Sequence, residues 1–219
     1  MNIRVLQLGK FQPIKGGVEK VMYAFTLGLS LRGISCDMLC ASDDDDVGET
    51  RLNAHARLIK TKTLAKLAAT MISPEMISTL REICHDYDII HIHYPDPMAT
   101  LALFFSGYKG KVIVHWHSDI VKQKILLQFV KPLLNWLIHR ADLILGTSPV
   151  YVSDAPMLKS VQSKVDYLPI GVRERAPDPS LVAMIRNQYP GKKIVYSMGR
   201  LVAYKGYEYL IEAAMVLPD

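Results

Sequence analysis

Residues 3–29 read IRVLQLGKFQPIKGGVEKVMYAFTLGL, an apolar β-prone run (3–8), then a glycine pair, then Val18, Val21, Met22, Phe25 and Leu29. Those five stand at i, i+3, i+4, i+7 and i+11, one face of a helix that opens after Gly16 and Gly17. A strand that turns at once into an amphipathic helix is the opening of a βαβ unit. Apolar β-prone runs recur at 34–40, 88–93, 111–117, 142–147, 164–168 and 193–198, with helical patterns between most of them. Strand and helix in alternation predict a parallel sheet. Val112 to Val114 and Leu143 to Leu145 are apolar throughout, which predicts helices on both faces. The fold expected is therefore α/β, a doubly wound parallel sheet.

The pattern changes after Leu168-Pro169-Ile170-Gly171-Val172, because 173–180 is charged and carries Pro177 and Pro179. A boundary is expected there, with one domain over 1–172. Residues 173–219 then read as a linker, a helix over 181–189, a strand over 193–198 and a helix over about 206–217. One strand and two helices bury too little surface to stand alone. The segment is expected to be the start of a second domain that continues past Asp219.

Composition narrows the function classes. Half of the 219 residues are apolar and 21% are charged, a globular and not a disordered balance. Lys and Arg number 26 against 21 Asp and Glu, a net +5 that suits small anions or an anionic bilayer but lacks the density of a nucleic-acid stripe. Cys36, Cys40 and Cys84 show neither metal-ligand spacing nor a disulfide framework, which fits a reducing cytoplasm. The start MNIRVLQLGK has no signal-peptide pattern, and no apolar run reaches the roughly 18 residues of a spanning helix. Any membrane contact is expected to be peripheral.

Four places carry candidate chemistry. At Gly16-Gly17, the exposed N–H groups of a helix start and the positive end of its dipole favour a phosphate or carboxylate. The spacing is neither G-x-G-x-x-G nor a Walker loop, and a tight turn alone would also explain the glycines. His91-Ile92-His93 and His115-Trp116-His117 end successive strands, at the edge where open α/β sheets bind ligands. Both members of each pair share a face. Two readings stay open for them, a metal site in a metal-dependent hydrolase and buried histidines at strand ends. His117 is singled out because Ser118 and Asp119 follow it, putting a carboxylate two residues away. Arg200 and Lys205 lie in a strand-to-helix loop, a pair able to hold a diphosphate.

Two charged stretches complete the list. Asp43 to Asp46 invites comparison with the Asp-x-Asp metal motif, but four like charges in a row are expected to form a solvated loop. Lys122, Lys124 and Lys131, with Phe129 and Trp136, can lie on an anionic membrane surface or belong to core-packed helices, with Pro132 breaking or kinking the run.

Phe11-Gln12-Pro13 with Gly16-Gly17-Val18-Glu19, Asp88-Ile89-Ile90-His91-Ile92-His93, His115-Trp116-His117-Ser118-Asp119-Ile120, Leu168-Pro169-Ile170-Gly171-Val172, and Gly199-Arg200 with Lys205-Gly206 come in one order across the chain. In that order and spacing the chain resembles glycosyltransferase family 4, the retaining sugar transferases of GT-B fold. The resemblance implies two Rossmann-like domains, the N-terminal one on the acceptor side and the C-terminal one binding the nucleotide sugar. It implies His117 as the active-site histidine, with Asp119 and His115 on the acceptor side or in support. Gly16, Gly17, Arg200 and Lys205 are implied to bind the donor phosphates. Retention is usually explained by a same-face mechanism in which a donor phosphate oxygen helps deprotonate the acceptor hydroxyl. No metal or other cofactor is implied beyond the donor, GDP-mannose or a UDP-sugar. The acceptor implied is a glycan or lipid-linked saccharide, in bacterial surface polysaccharide or lipopolysaccharide synthesis, with mannosyl or rhamnosyl transfer the common cases.

The family's Glu-x7-Glu region lies beyond position 219, so residues 1–219 alone are expected not to transfer sugar. Two other classes remain beside the transferase. One is the metal-dependent hydrolase built on His91/His93 and His115/His117, the other a non-catalytic sugar- or nucleotide-binding half-domain.

Overall fold

The computed structural model describes residues 3–12, 14, 16–42, 44–67, 70–119, 124–172 and 174–216. Two compact units divide the chain, residues 1–171 and 172–219.

The first unit is built on β1 (Arg4–Gln12), β2 (Ser35–Ser42), β3 (Gly48–Asn53), β4 (Ala56–Lys62), β7 (Ile89–Tyr94), β8 (Lys111–Trp116), β9 (Leu143–Gly146) and β10 (Val165–Tyr167). They form one sheet in the order β10-β9-β8-β7-β1-β2-β4-β3, parallel except where β3 pairs antiparallel with β4. β5 (Ala65–Leu67) and β6 (Thr70–Ile72) make a separate two-stranded ribbon. From β1 the chain winds outward through β2 and β4, then returns to β7 on the other flank of β1 and winds outward again through β8, β9 and β10. The reversal puts a topological switch point between β1 and β7, where open α/β sheets leave a crevice outside the strands' carboxyl ends.

Right-handed crossovers wound in opposite directions place their helices on opposite faces. α1 (Gly17–Ser30), between β1 and β2, packs Met22 against Met38, Cys40 and Leu58. On the other face lie α2 (Pro74–Ile83), α3 (Pro97–Ser106), α4 (Lys124–Arg140) and α5 (Pro149–Asp154). Their Met76, Leu80, Ala99, Leu103, Leu134, Leu137 and Val152 join Leu6, Leu8, Ile90, Ile92, Val112, Val114 and Ile144 in the main core. Alternation along β7 and β8 sends Ile90, Ile92, Val112 and Val114 into this core and turns His91, His93 and His115 toward α1.

The expected cover on both faces is incomplete among the described residues. α1 packs on β1, β2 and β4, while Ile89, Ile113 and Leu145 line an apolar groove of about 410 Å³ with Ile3, Val5 and Phe25. An apolar strand run shows that both faces avoid water, not that a helix of the same unit lies on each.

The second unit holds α6 (Pro179–Gln188), a 3₁₀ turn at Ala203–Lys205 and α7 (Tyr207–Ala214). Asp178 caps α6, accepting from the Ser180 N–H at 2.9 Å and the Leu181 N–H at 3.3 Å. The strand expected over 193–198 does not form: that run has no ladder partner among the described residues, and Val195 and Met198 are 70% and 82% exposed. β propensity yields a strand only when a neighbour completes the hydrogen bonds.

Candidate active site at the carboxyl edge of the sheet

β7 and β8 run in parallel register with His93 opposite His115 and Tyr94 opposite Trp116, so both His-x-His pairs arrive at the same edge. His91, His93 and His115 are buried at 5%, 0% and 1% exposure, and His117 is half-buried one residue past β8. Phe25 of α1 closes over them, its ring centroid 5.4 Å from His91 and 5.6 Å from His115, both edge-on.

Two kinds of contact order the four rings. His93 Nδ1 lies 2.9 Å from His117 Nε2, with ring planes within 15° and centroids 5.2 Å apart, the geometry of a nearly coplanar hydrogen bond. On its other side His93 Nε2 meets the Gln7 side-chain oxygen at 2.8 Å, and Gln7 Nε2 reaches Cys36 Sγ at 3.6 Å. Gln7 and His93 belong to β1 and β7, so this chain crosses the switch point. His115 stacks instead, parallel to His117 within 3° at 4.2 Å. Both His115 nitrogens and His91 Nε2 are buried without a hydrogen-bond partner among the described residues. Burial holds all three buried imidazoles neutral, His91 pushed down to about 3, His115 to about 4 and His93 well below the usual histidine range. Any proton gained by His115 or His117 would press the His91 value lower still.

The nitrogens of His93, His115 and His117 come within 4.8 Å of one another. A ligated ion must lie near the plane of each ring, along its lone pair, at about 2.0–2.1 Å. The parallel His115 and His117 rings direct their lone pairs along separate planes, so the arrangement does not converge on one ion. It supports the buried-histidine reading of the pairs over the metal-ligand one.

The Asp119 carboxylate accepts the Trp116 indole N–H at 3.0 Å, and Trp116, on the core face of β8, stacks on Tyr94 at 3.8 Å.

The glycines before α1 divide in role. Gly16 is the helix N-cap, and a Cβ there would run into the Glu19 carboxylate, which folds back over it from the first turn. Glu19 is 5% exposed and its Oε2 has no hydrogen-bond partner among the described residues. An acid there is favoured by the helix dipole. Gly17 has nothing within 4 Å of where a Cβ would stand. Pro13, which belongs to the motif before them, lies outside the described residues.

In the second unit Arg200 and Lys205 gather on one ring. Arg200 Nη2 bonds the Tyr204 hydroxyl at 3.3 Å, and Lys205 Nζ stands 5.6 Å from the ring centroid. The acidic tract is partly tied down, with Asp44 accepting from the Ser42 hydroxyl and Asp46 paired with the buried Lys60, while Asp43 lies outside the described residues. Lys131 is exposed on α4 and Trp136 half-buried. Trp136 meets the exposed Phe104 edge-on at 4.9 Å, beside the exposed Phe105. Lys122 lies outside the described residues, as do the side chains of Lys124 and Phe129. No helix among the described residues is long and apolar enough to cross a membrane.

Sequence reasoning passed over Gln7, Gly9 and Phe25 as site residues. Gln7 had a signal, the one polar residue within Val5-Leu6-Gln7-Leu8, and it is fully buried. Gly9 has φ +133°, and a Cβ there would stand 3.4 Å from the His93 carbonyl oxygen and 3.5 Å from Asp96 Oδ2.

A family model described as Glycosyltransferase Family 4 matches residues 15–174. The chain is 32% identical over 216 residues to the O-antigen chain mannosyltransferase C of Escherichia coli, a match covering 97% of this chain and 58% of that protein. It is 26% identical over 200 residues to the D-rhamnosyltransferase WbpZ of Pseudomonas aeruginosa, covering 90% and 52%. The chain thus spans a little over half the length of the curated relatives it matches. Among solved structures, Anabaena Alr3699/HepE in complex with UDP and glucose superposes with a TM-score of 0.69 at 15% identity, covering 99% of this chain and 58% of that one. Sucrose-phosphate synthase from Thermosynechococcus elongatus gives 0.67 at 19% identity, covering 98% and 60%. At such identities the likeness is one of fold.

Proposed function

We propose, on the premise that the chain belongs to glycosyltransferase family 4 and has the GT-B fold, that it serves retaining transfer of a sugar from a nucleoside diphosphate to a saccharide acceptor. The observation that carries this reading is His117, half-buried at the carboxyl edge beside the β1/β7 switch point and anchored from behind through His93 and Gln7. A group held in that way can orient a sugar hydroxyl at little cost in reorganisation.

The roles follow from what each group offers. The diphosphate leaves with growing negative charge, which N–H groups at the α1 start and the cations Arg200 and Lys205 are suited to stabilise. Gly17 supplies open space for close approach. Gly16 supplies room for Glu19. His115 holds the His117 ring by stacking, and Asp119 fixes Trp116 on the core face of β8. Residues 1–171 form the acceptor-side domain, and 172–219 belong to the nucleotide-sugar side. The relatives named for mannosyl and D-rhamnosyl transfer favour a mannosyl or rhamnosyl group and an O-antigen-like acceptor, with GDP-mannose or a UDP-sugar as the donor. The same reading puts the protein in the cytoplasm, where such donors are made. Lys131 with Phe104, Phe105 and Trp136 suits peripheral contact with an anionic leaflet if the acceptor is lipid-linked.

Thermal-shift titration with GDP-mannose, GDP-rhamnose and UDP-glucose, followed by transfer of labelled sugar to a lipid-linked saccharide by the gene's full-length product, tests the proposal, and every turnover measurement below uses that product. Loss of transfer in His117→Ala with the fold retained supports it. Transfer undiminished in that variant overturns the role of His117. Donor binding by a full-length product that transfers to no acceptor makes it a non-catalytic binding module.

A further inference from the structure

We infer that the Glu19 carboxyl is a ligand-binding group, the partner of a hydroxyl on a sugar bound against the start of α1. The inference rests on the sugar-transfer reading and adds to it a contact that recognises the sugar itself.

Among the described residues two carboxyl side chains are buried, Glu19 and Asp96, at 5% and 8% exposure. Asp96 serves the fold, capping α3 by accepting from the N–H groups of Met98 and Ala99 at 3.0 and 3.1 Å. Glu19 Oε2 is buried without a hydrogen-bond partner among the described residues. Met22, one turn further along the helix, packs against Cys40 and Leu58, and Lys60 follows Leu58 on the same face of β4. That buried cation is paired with Asp46 and not with Glu19. A buried acceptor left unfilled is a standing cost to the fold, and a ligand that supplies the missing partner removes it.

The position of the carboxyl indicates the kind of ligand. Glu19 folds back over Gly16, the N-cap of α1, and both Gly16 and Gly17 are exposed. Gly16 brings no side chain to accept from the N–H groups of the first turn, and a Cβ on Gly17 would meet nothing within 4 Å. One helix start therefore offers hydrogen-bond donors beside an unfilled carboxyl. Phosphate oxygens suit the N–H groups. A hydroxyl suits the carboxyl in either protonation state, because it both donates and accepts. A glycosyl phosphate carries the two together, and a saccharide acceptor carries the hydroxyls alone, so the shared chemistry is a sugar hydroxyl.

The test uses the full-length product and two series of substrates that each lack one hydroxyl: monodeoxy analogues of the donor, GDP-mannose or a UDP-sugar as thermal shift selects, and of the acceptor saccharide. In the wild-type protein the loss of one particular hydroxyl is expected to lower kcat/KM about tenfold or more, because the carboxyl again goes unfilled. Glu19→Ala is expected to lose about as much with the intact substrate and nothing further with that analogue. A penalty abolished in the donor series assigns the hydroxyl to the transferred sugar, and one abolished in the acceptor series assigns it to the acceptor. Glu19→Asp draws the carboxyl back by one methylene and is expected to behave as Glu19→Ala does, which decides the matter if the alanine variant does not fold. Glu19→Gln keeps the reach and is expected to keep the penalty. Equal penalties in wild type and every variant, for every hydroxyl, overturn the inference and make Glu19 a packing residue, while wild-type transfer of the intact sugar leaves the transferase reading standing. No transfer from intact substrates sinks that reading and the inference with it.

Discussion

The imidazole of His115 lies parallel to that of His117, their planes within 3° and their centroids 4.2 Å apart. Two rings ligating one ion tetrahedrally at about 2.0–2.1 Å stand farther apart and are not parallel. The stack therefore predicts a protein that works without a bound transition metal. Metal analysis of purified protein should give far less than one zinc per chain, and sugar transfer should be unchanged by EDTA. Stoichiometric zinc whose removal abolishes activity would revive a metal-dependent reading of the paired histidines.

His117→Ala separates chemistry from folding. The side chain is half-buried and hydrogen-bonds His93, and losing that bond should cost about 1 kcal/mol of stability. Turnover should fall about 100-fold or more, the scale of a positioned proton-handling group. Urea midpoints beside initial rates make the comparison, and a fall in rate matched by a collapse in the midpoint would make His117 structural.

Gly16→Ala and Gly17→Ala should part company. The first brings a methyl group against the Glu19 carboxylate, and repacking should cost about 1–2 kcal/mol. The second has open space and sits in the first turn of α1, so stability should rise by up to about 1 kcal/mol. If Gly17 also gives the donor close access to the helix start, its variant loses transfer while gaining stability. An unchanged donor KM in Gly17→Ala would show that the phosphates bind elsewhere.

Stability should fall steeply with acid. His91, His93 and His115 have native pKa values depressed below the ordinary value of 6.5, so the unfolded chain binds protons that the folded chain refuses. Their contribution is fully present above pH 6.5 and is lost as pH falls toward the depressed native values near 3–4. Each group then costs up to about 1.4 kcal/mol per pH unit below 6.5. Urea midpoints at pH 7.5, 6.5, 5.5 and 4.5 should be level across the first pair and drop sharply across the rest. A profile flat to pH 4.5 would place these imidazoles in contact with water.

Much of this edge is legible from strand alternation. Ile90 and Ile92, like Val112 and Val114, mark the core face of β7 and β8 and thereby assign both His-x-His pairs to the other. What alternation does not carry is which rings bond and which stack, because that depends on the parallel register of His93 with His115 and on a residue of β1, 86 positions away in sequence. β3 and β5 escaped for a different reason. Glu49 and Arg51 in β3, and all of β5, face water, so edge and ribbon strands leave no apolar run to read. The opposite error at 193–198 came from an apolar run that has no pairing neighbour among the described residues. Arg200 and Lys205 were legible as a pair, but Tyr204, which gathers them, drew no notice because an aromatic in a βα loop has no spacing that marks it.

The Tyr94–Trp116 stack gives the protein a built-in optical reporter. Trp116 is fully buried, stacked on a tyrosine and tethered through its indole N–H to Asp119, two residues past His117. The only other indole, Trp136, sits half-buried on α4 beside Phe104. Emission from the shielded indole is blue-shifted relative to that of the partly wet one. A ligand that draws Asp119 away from Trp116 therefore announces itself in the intrinsic fluorescence spectrum, with no label attached.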